Sequence, residues 1–335
     1  MIRFAPSLGR RSREGLSPGG ALAVLWLVSV LLYLPTVRHL LSIWTGNVVF
    51  HHQPLVFAIA AWLIRRRLMD AGGWGSKTAR RTVAMRPLVL AALLSWGWFV
   101  AWLADLAIGM HAAFIGLFGA AALLLMPPEQ WRELRFPLGY LLLSIPAGLL
   151  LVPPLMAFTA WLAVKILALW DVSFWQDGFN IEIITPQGLV RFSIEAACSG
   201  VRYLFASFAV GLLFAWVAAS GLRRFAVIGI FLLIPIFANA LRAAGILLLA
   251  STYGLAVAQG IDHRIYGLAF FLVTLALSFL LSWPLTGRGG AFRSPAAHAE
   301  RSAAAGARIP LPRLISFLGA AAFGPGLALL WRAIL

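Results

Sequence analysis

The run FAVIGIFLLIPIFANALRAAGILLL, Phe225–Leu249, decides the fold. It exceeds the roughly 20 apolar residues that carry a helix across a hydrocarbon layer about 30 Å thick. Its one charge is Arg242. Comparable runs recur along the chain, and 61% of the residues are hydrophobic against 11% charged. Barrel strands would alternate apolar and polar residues, and these runs do not, so helices are the form in which the backbone is satisfied in lipid. The expectation is an all-α polytopic membrane protein, a bundle of about nine transmembrane helices plus one re-entrant or interfacial apolar segment.

The net charge of +16 does not point to nucleic acid, because the basic residues stand in short blocks between apolar runs, where topology explains them. Arg3, Arg10, Arg11 and Arg13 make residues 1–20 a cytoplasmic basic tail. The run from Ala21 to Leu41 is too long for the apolar region of a signal peptide and reads as a retained first span. Arg38, His39, Trp44, His51 and His52 follow as an interfacial loop, then a span around Pro54 to Ile64. The block from Arg65 to Arg86 is cytoplasmic by the positive-inside rule. Spans at Pro87 to Leu106 and Met110 to Met126 lead to a cytoplasmic loop, Pro127 to Arg135.

Two apolar segments lie between Phe136 and Trp170, split by Pro153-Pro154. If both crossed, the acidic loop after them would be cytoplasmic and the basic Arg223-Arg224 outside, against the charge rule. One of the two, Leu155 to Trp170 in preference to residues 137–152, is therefore expected to be re-entrant or interfacial. With that correction 20 of the 27 basic residues fall on the cytoplasmic side. Later spans are read at Arg202 to Ala219, Phe225 to Leu249, Tyr266 to Pro284 and Leu314 to Trp331. Residues 286–313 form a flexible basic cytoplasmic linker, and 314–335 a C-terminal transmembrane helix.

The extracytoplasmic loop, 171–197, has an alternation of its own. Phe179, Ile181 and Ile183 alternate with polar residues, Thr185-Pro186-Gln187-Gly188 suits a turn, and Val190, Phe192 and Ile194 alternate again. This predicts a small β-hairpin feeding directly into Cys198. A single cysteine excludes an internal disulfide and a Cys-based zinc site. Cys198 stands where a polar loop meets an apolar run, and in the first turn of a helix unpaired N–H groups and the dipole favour the thiolate. A helix through Cys198 would place Arg202 on the same face. Arg242 lies at membrane depth, where a charge faces a bundle interior or a water-filled cavity. His263 opens the next span, and the antiparallel path brings all three to one face of the membrane.

Each residue has a plainer reading. A lone membrane cysteine is more often a small packing residue, an arginine near a span end more often snorkels, and a histidine beside Asp262 and Arg264 is more often solvated. Convergence of the three on one membrane face shifts the balance. His51-His52 resembles a metal pair, but neighbours point apart on a helix and no further ligand is evident, so no metal or cofactor is expected. Ser199 lacks a Gly-x-Ser-x-Gly elbow. The 14 tryptophans lie mostly near span ends, as in an interfacial belt.

Three motifs in order, Ala197-Cys198-Ser199-Gly200-Val201-Arg202, Ala238-Asn239-Ala240-Leu241-Arg242, and His263 with Tyr266-Gly267, resemble the exosortase/archaeosortase family of membrane-embedded cysteine transpeptidases. The likeness covers roughly Trp44 to Pro284, within an exosortase-like core at 21–285; Val201 stands where the family often has Leu. The resemblance implies cleavage of a C-terminal sorting signal, a Pro-Glu-Pro type motif followed by a transmembrane helix and a basic tail, on exported proteins. It implies a bacterial cytoplasmic (inner) membrane location, with the site at the periplasmic, outer face. Cys198 would be the nucleophile, His263 the general acid/base and Arg242 the oxyanion stabiliser. Arg202, Glu195 and Asn239 are candidates for substrate binding. The rival is a transporter or polysaccharide-export component that binds an anion through Arg202, Arg242 and His263; no inverted repeat supports it. A third reading is an enzymatically inactive scaffold.

An impermeant thiol reagent applied to intact cells is expected to label Cys198. Labelling only after lysis would remove the outer-face placement.

Overall fold

The computed structural model describes residues 15–70, 85–194, 200–254, 263–287 and 309–334, and of 263–266 the backbone alone. Residues 1–14 of the expected basic tail, most of the 286–313 linker, and the expected sites Glu195 and Cys198 lie outside the described residues, while residues 18–20 of the expected tail already belong to a helix. In chain order the elements are α1 (Pro18–Leu32), α2 (Leu34–Gly46), α3 (Gln53–Asp70), α4 (Met85–Leu103), α5 (Ala107–Leu124), α6 (Trp131–Leu141) and α7 (Val152–Leu169). There follow β1 (Phe174–Asp177), β2 (Asn180–Thr185), β3 (Gly188–Ser193), α8 (Val201–Ala218), α9 (Leu222–Tyr253), α10 (His263–Ser282) and α11 (Leu311–Ile334). Among the described residues eight helical stretches are long and apolar enough to cross a membrane, and α1 with α2 makes a ninth if counted as one bent span. The chain is an all-α polytopic membrane protein with one small sheet. It divides into two compact units, Met1–Ile43 with Gln53–Pro146 and Pro295–Leu335, and Trp44–His52 with Ala147–Ser294.

In the first unit the expected single span from Ala21 to Leu41 is two helices bent by 91°. Pro35 explains the break: it has no N–H to offer the carbonyl one turn back in α1, and it suits the first turn of a new helix. The segment from Arg38 to Trp44, expected as a loop, is helical, and His39 Nδ1 stands 3.2 Å from His111 Nε2.

A second proline shapes α11. Pro325 leaves the carbonyl of Ala321 without its helical donor, and two hydroxyls from other helices replace it: Tyr33 donates at 2.7 Å and Ser95 at 2.8 Å. Ser95 Oγ also accepts from Gly324 N at 2.7 Å. Both hydroxyl residues are fully buried, and a Cβ on Gly324 would collide with the Ser95 backbone carbonyl. So α1, α4 and α11 are tied at one point by groups that lipid gives no other partner.

α6 shows the same requirement. It ends after 11 residues in a 3-10 turn, Leu142–Ser144, and the Gln53 side-chain amide donates to the carbonyls of Leu143 and Ile145 at 3.2 and 2.9 Å. Arg67 pairs with Glu133 at 2.9 Å, so α6 and its 3-10 turn follow α3 from end to end.

The broken segment is therefore not the expected one. Leu155 to Trp170 falls almost wholly in a continuous helical stretch, Leu149–Leu169, long enough to span. The interruption lies upstream, at Ile145, Pro146 and the left-handed Gly148, φ 99°. Pro153 and Pro154 start α7 rather than break a helix, because the N–H groups they lack are ones a first turn leaves unpaired.

The second unit carries an antiparallel sheet in the order β1-β2-β3. The expected hairpin is present, with Thr185 opposite Gly188 and Thr185 Oγ1 donating to the Gly188 carbonyl at 2.8 Å. β1 was not expected; all four of its residues are exposed and show no alternation. Ile181, Ile183 and Ile194 pack against Ala160, Ala163 and Leu167 of α7 and Ala244, Leu247 and Ala250 of α9. The small alanines let the sheet settle close to the helix pair.

Ser95→Ala is expected to destabilise the protein by about 1–3 kcal/mol, the cost of leaving a buried backbone group unserved. Gly324→Val is expected to cost more, since a backbone carbonyl cannot move aside. Unfolding midpoints in detergent check the order.

Candidate active site

α9 is 32 residues long, about 48 Å at 1.5 Å per residue, which exceeds the hydrocarbon layer. Arg223 and Arg224 open it, and Arg242 follows about 27 Å further along. That spacing is close to one hydrocarbon thickness, so with the basic pair at one interface Arg242 falls near the other. Beyond it α9 continues to the alanines that hold the sheet.

Asn239 precedes Arg242 by three residues and shares its helix face. Its Nδ2 donates to Thr159 Oγ1 of α7 at 3.2 Å, and its Oδ1 accepts from Arg242 Nη2 at 3.4 Å. Asn239 is almost wholly buried, directly beneath Gly200. Gly200 has φ 75°, and a Cβ there would lie 2.7 Å from Asn239 Cγ. Both backbone conformation and space therefore demand glycine two residues after Cys198.

Gly200 also sets the start of the next described helix. α8 begins at Val201, with Leu204 N donating to the carbonyl of left-handed Gly200 at 2.9 Å. The helix face expected to be shared by Cys198 and Arg202 falls on residues outside the described ones. Arg202 lies in the first turn of α8, exposed, with its Nη2 donating to Tyr203 Oη at 2.6 Å and its guanidinium 4.7 Å from the Tyr203 ring centroid.

Arg242 is half-buried, its guanidinium 5.8 Å from the same ring, and its buried Nε has no hydrogen-bond partner. The ion pairs among the described residues, Arg66–Asp70, Arg67–Glu133 and Arg191–Glu182, leave both Arg202 and Arg242 without a carboxylate. Two cations with no carboxylate among the described residues, at a membrane boundary, favour an anion beside them.

His263 is the first residue of α10 and stands one turn before Gly267. At Gly267 a Cβ would sit 2.6 Å from Tyr203 Oη and 3.7 Å from Arg242 Nη1. The structure thus gathers Arg202, Arg242 and Gly267, one turn after His263, around Tyr203, with Asn239 between Arg242 and Gly200. Tyr203, Thr159, Gly200 and Gly267 escaped the sequence reading as participants, although Gly200 and Gly267 stand inside the motifs it used. Among the described residues no three His, Cys, Asp or Glu side chains are grouped to hold a metal.

The family model described as transmembrane exosortase (Exosortase_EpsH) matches residues 43–280. No curated protein and no solved structure matches the chain.

Gly200→Ala is expected to lower the thermal midpoint in detergent sharply, combining roughly 1–2 kcal/mol of left-handed strain with the collision on Asn239. Adding Asn239→Ala should return only part of the steric cost, because the Cβ of residue 239 stays 2.9 Å from the new methyl, and leave the strain.

Proposed function

The chain belongs to the transmembrane exosortase family, and from that premise we propose that it cleaves C-terminal sorting signals through a cysteine thioester. Its substrates are exported proteins ending in a Pro-Glu-Pro type motif, a transmembrane helix and a basic tail. The enzyme is set in the bacterial cytoplasmic membrane, with its site at the outer face.

The Cys198 thiolate attacks the scissile carbonyl beside the motif, and the carbonyl oxygen becomes an oxyanion. Arg242 stabilises that charge. His263 takes the thiol proton and delivers it to the leaving amine as the C–N bond breaks, its intrinsic pKa range suiting both directions near neutral pH. The thioester left on Cys198 is then attacked by an amine, giving transpeptidation, or by water, giving hydrolysis. Arg202, exposed and without a carboxylate partner among the described residues, meets the acidic residue of the motif. Glu195 is assigned to the same substrate-binding loop.

The observation that carries this reading is the lodging of Arg242. A guanidinium that, among the described residues, has an unpaired buried Nε and is held by an amide and a ring instead of a carboxylate keeps its charge available for an oxyanion. A transporter's anion would also find a cation there, but would require no cysteine.

The test is to co-express the enzyme with a tripartite-tail substrate and follow the substrate's mass on gels. Cys198→Ala and Cys198→Ser should both abolish processing, and Arg242→Ala should reduce it by on the order of 10²–10³, the usual loss for an oxyanion donor. Unchanged processing with Cys198→Ala removes the nucleophile assignment.

A further inference from the structure

Tyr203 stands between the two arginines of the site and α10. Its ring stacks on Phe271 of α10, centroids 5.1 Å apart and planes at 18°. The Arg242 guanidinium approaches it from α9 and the Arg202 guanidinium from its own helix. Its hydroxyl accepts from Arg202 and fills the space that Gly267 leaves open. Gly267 and Phe271 are one and two turns after His263, so Tyr203 lies along the stripe of α10 that His263 begins.

We propose that Tyr203 is a positioning residue that sets the placement of Arg242 relative to the His263 turn of α10. The proposal rests on the reading of Arg242 as the oxyanion donor. The physical argument has three parts. Among the described residues Arg242 has no carboxylate to orient it, and its one hydrogen bond is the long one to Asn239, at 3.4 Å. A cation over an aromatic face is attracted at little cost to its capacity to bind an anion, whereas a carboxylate would neutralise it. The same ring is fixed against α10 by Phe271 and by the glycine-sized gap at Gly267, so a displacement of either helix is felt through it. Gly267 is thus the complement of the tyrosine hydroxyl, and Tyr203 joins α9 to α10 at the level of the chemistry.

The experiment uses the full-length enzyme in nanodiscs and a synthetic tripartite-tail peptide, with kcat and KM measured separately. Tyr203→Phe keeps the ring and should retain most of kcat. Tyr203→Leu should lower kcat by on the order of tenfold to hundredfold, as for a misplaced catalytic group, with KM changed by less than about threefold. In an Arg242→Ala background Tyr203→Leu should add almost nothing, because the residue it places is gone. A purely structural role would instead reduce activity by the same factor in both backgrounds, which would overturn the proposal. Equal loss in Tyr203→Phe and Tyr203→Leu would overturn it too, shifting the effect to the hydroxyl and Arg202. If Tyr203→Leu does not fold, Gly267→Ala supplies the second route: its methyl displaces the Tyr203 hydroxyl, and a drop in kcat confined to enzyme that retains Arg242 is expected. The cysteine reading fails separately, through Cys198→Ala, whatever Tyr203 does.

Discussion

A guanidinium at the edge of a hydrocarbon layer must be lodged without being neutralised if it is to act on an anion, and the lodging of Arg242 organises the second unit. Asn239 holds it from below and is itself held by Thr159, which brings α7 against α9. Tyr203 faces it from α8, and Gly267 brings the first turns of α10 alongside. Gly200 is small because Asn239 occupies the place of its side chain. Four helices thus converge on one cation, and among the described residues each contact is made by an amide, a hydroxyl, a ring or a missing Cβ rather than by an opposite charge.

In the first unit the organising demand is the backbone rather than a charge. Lipid supplies no donors to stranded carbonyls, so wherever a helix is interrupted a side chain has to be imported. Tyr33 and Ser95 serve the carbonyl freed by Pro325, and Gln53 serves two where α6 ends. These polar groups are costly in isolation and are stabilising only as matched sets, which explains their deep burial among apolar helices.

Much of this was legible in the sequence. The long apolar runs announced helices in lipid, the loop alternation announced the β2-β3 hairpin, and Arg242 stood out because a charge inside such a run needs a reason. What escaped was set by context. Pro153-Pro154 looked like a break, yet a proline pair is equally at home in a first turn, and only the position of the helix start distinguishes the two. The bend after Tyr33 was hidden because both sides of it are apolar enough to pass as one span. β1 carries no alternation, since neither of its faces is buried. Tyr203 carried no signal of its own, because its importance comes from partners on α9 and α10 that are distant in sequence.

The length of α9 has a consequence for the lipid as well as for the protein. One 32-residue helix, with Pro235 inside it, carries the basic pair at one end, Arg242 about a hydrocarbon thickness away, and the docking platform of the sheet beyond it. Such a helix is a ruler: in a thicker bilayer Arg242 is drawn into hydrocarbon, and in a thinner one it is lifted into the headgroups, unless the helix tilts to compensate. The electrostatic environment of the site is therefore coupled to acyl-chain length, and membrane thickness becomes a physical variable of the enzyme alongside pH and salt.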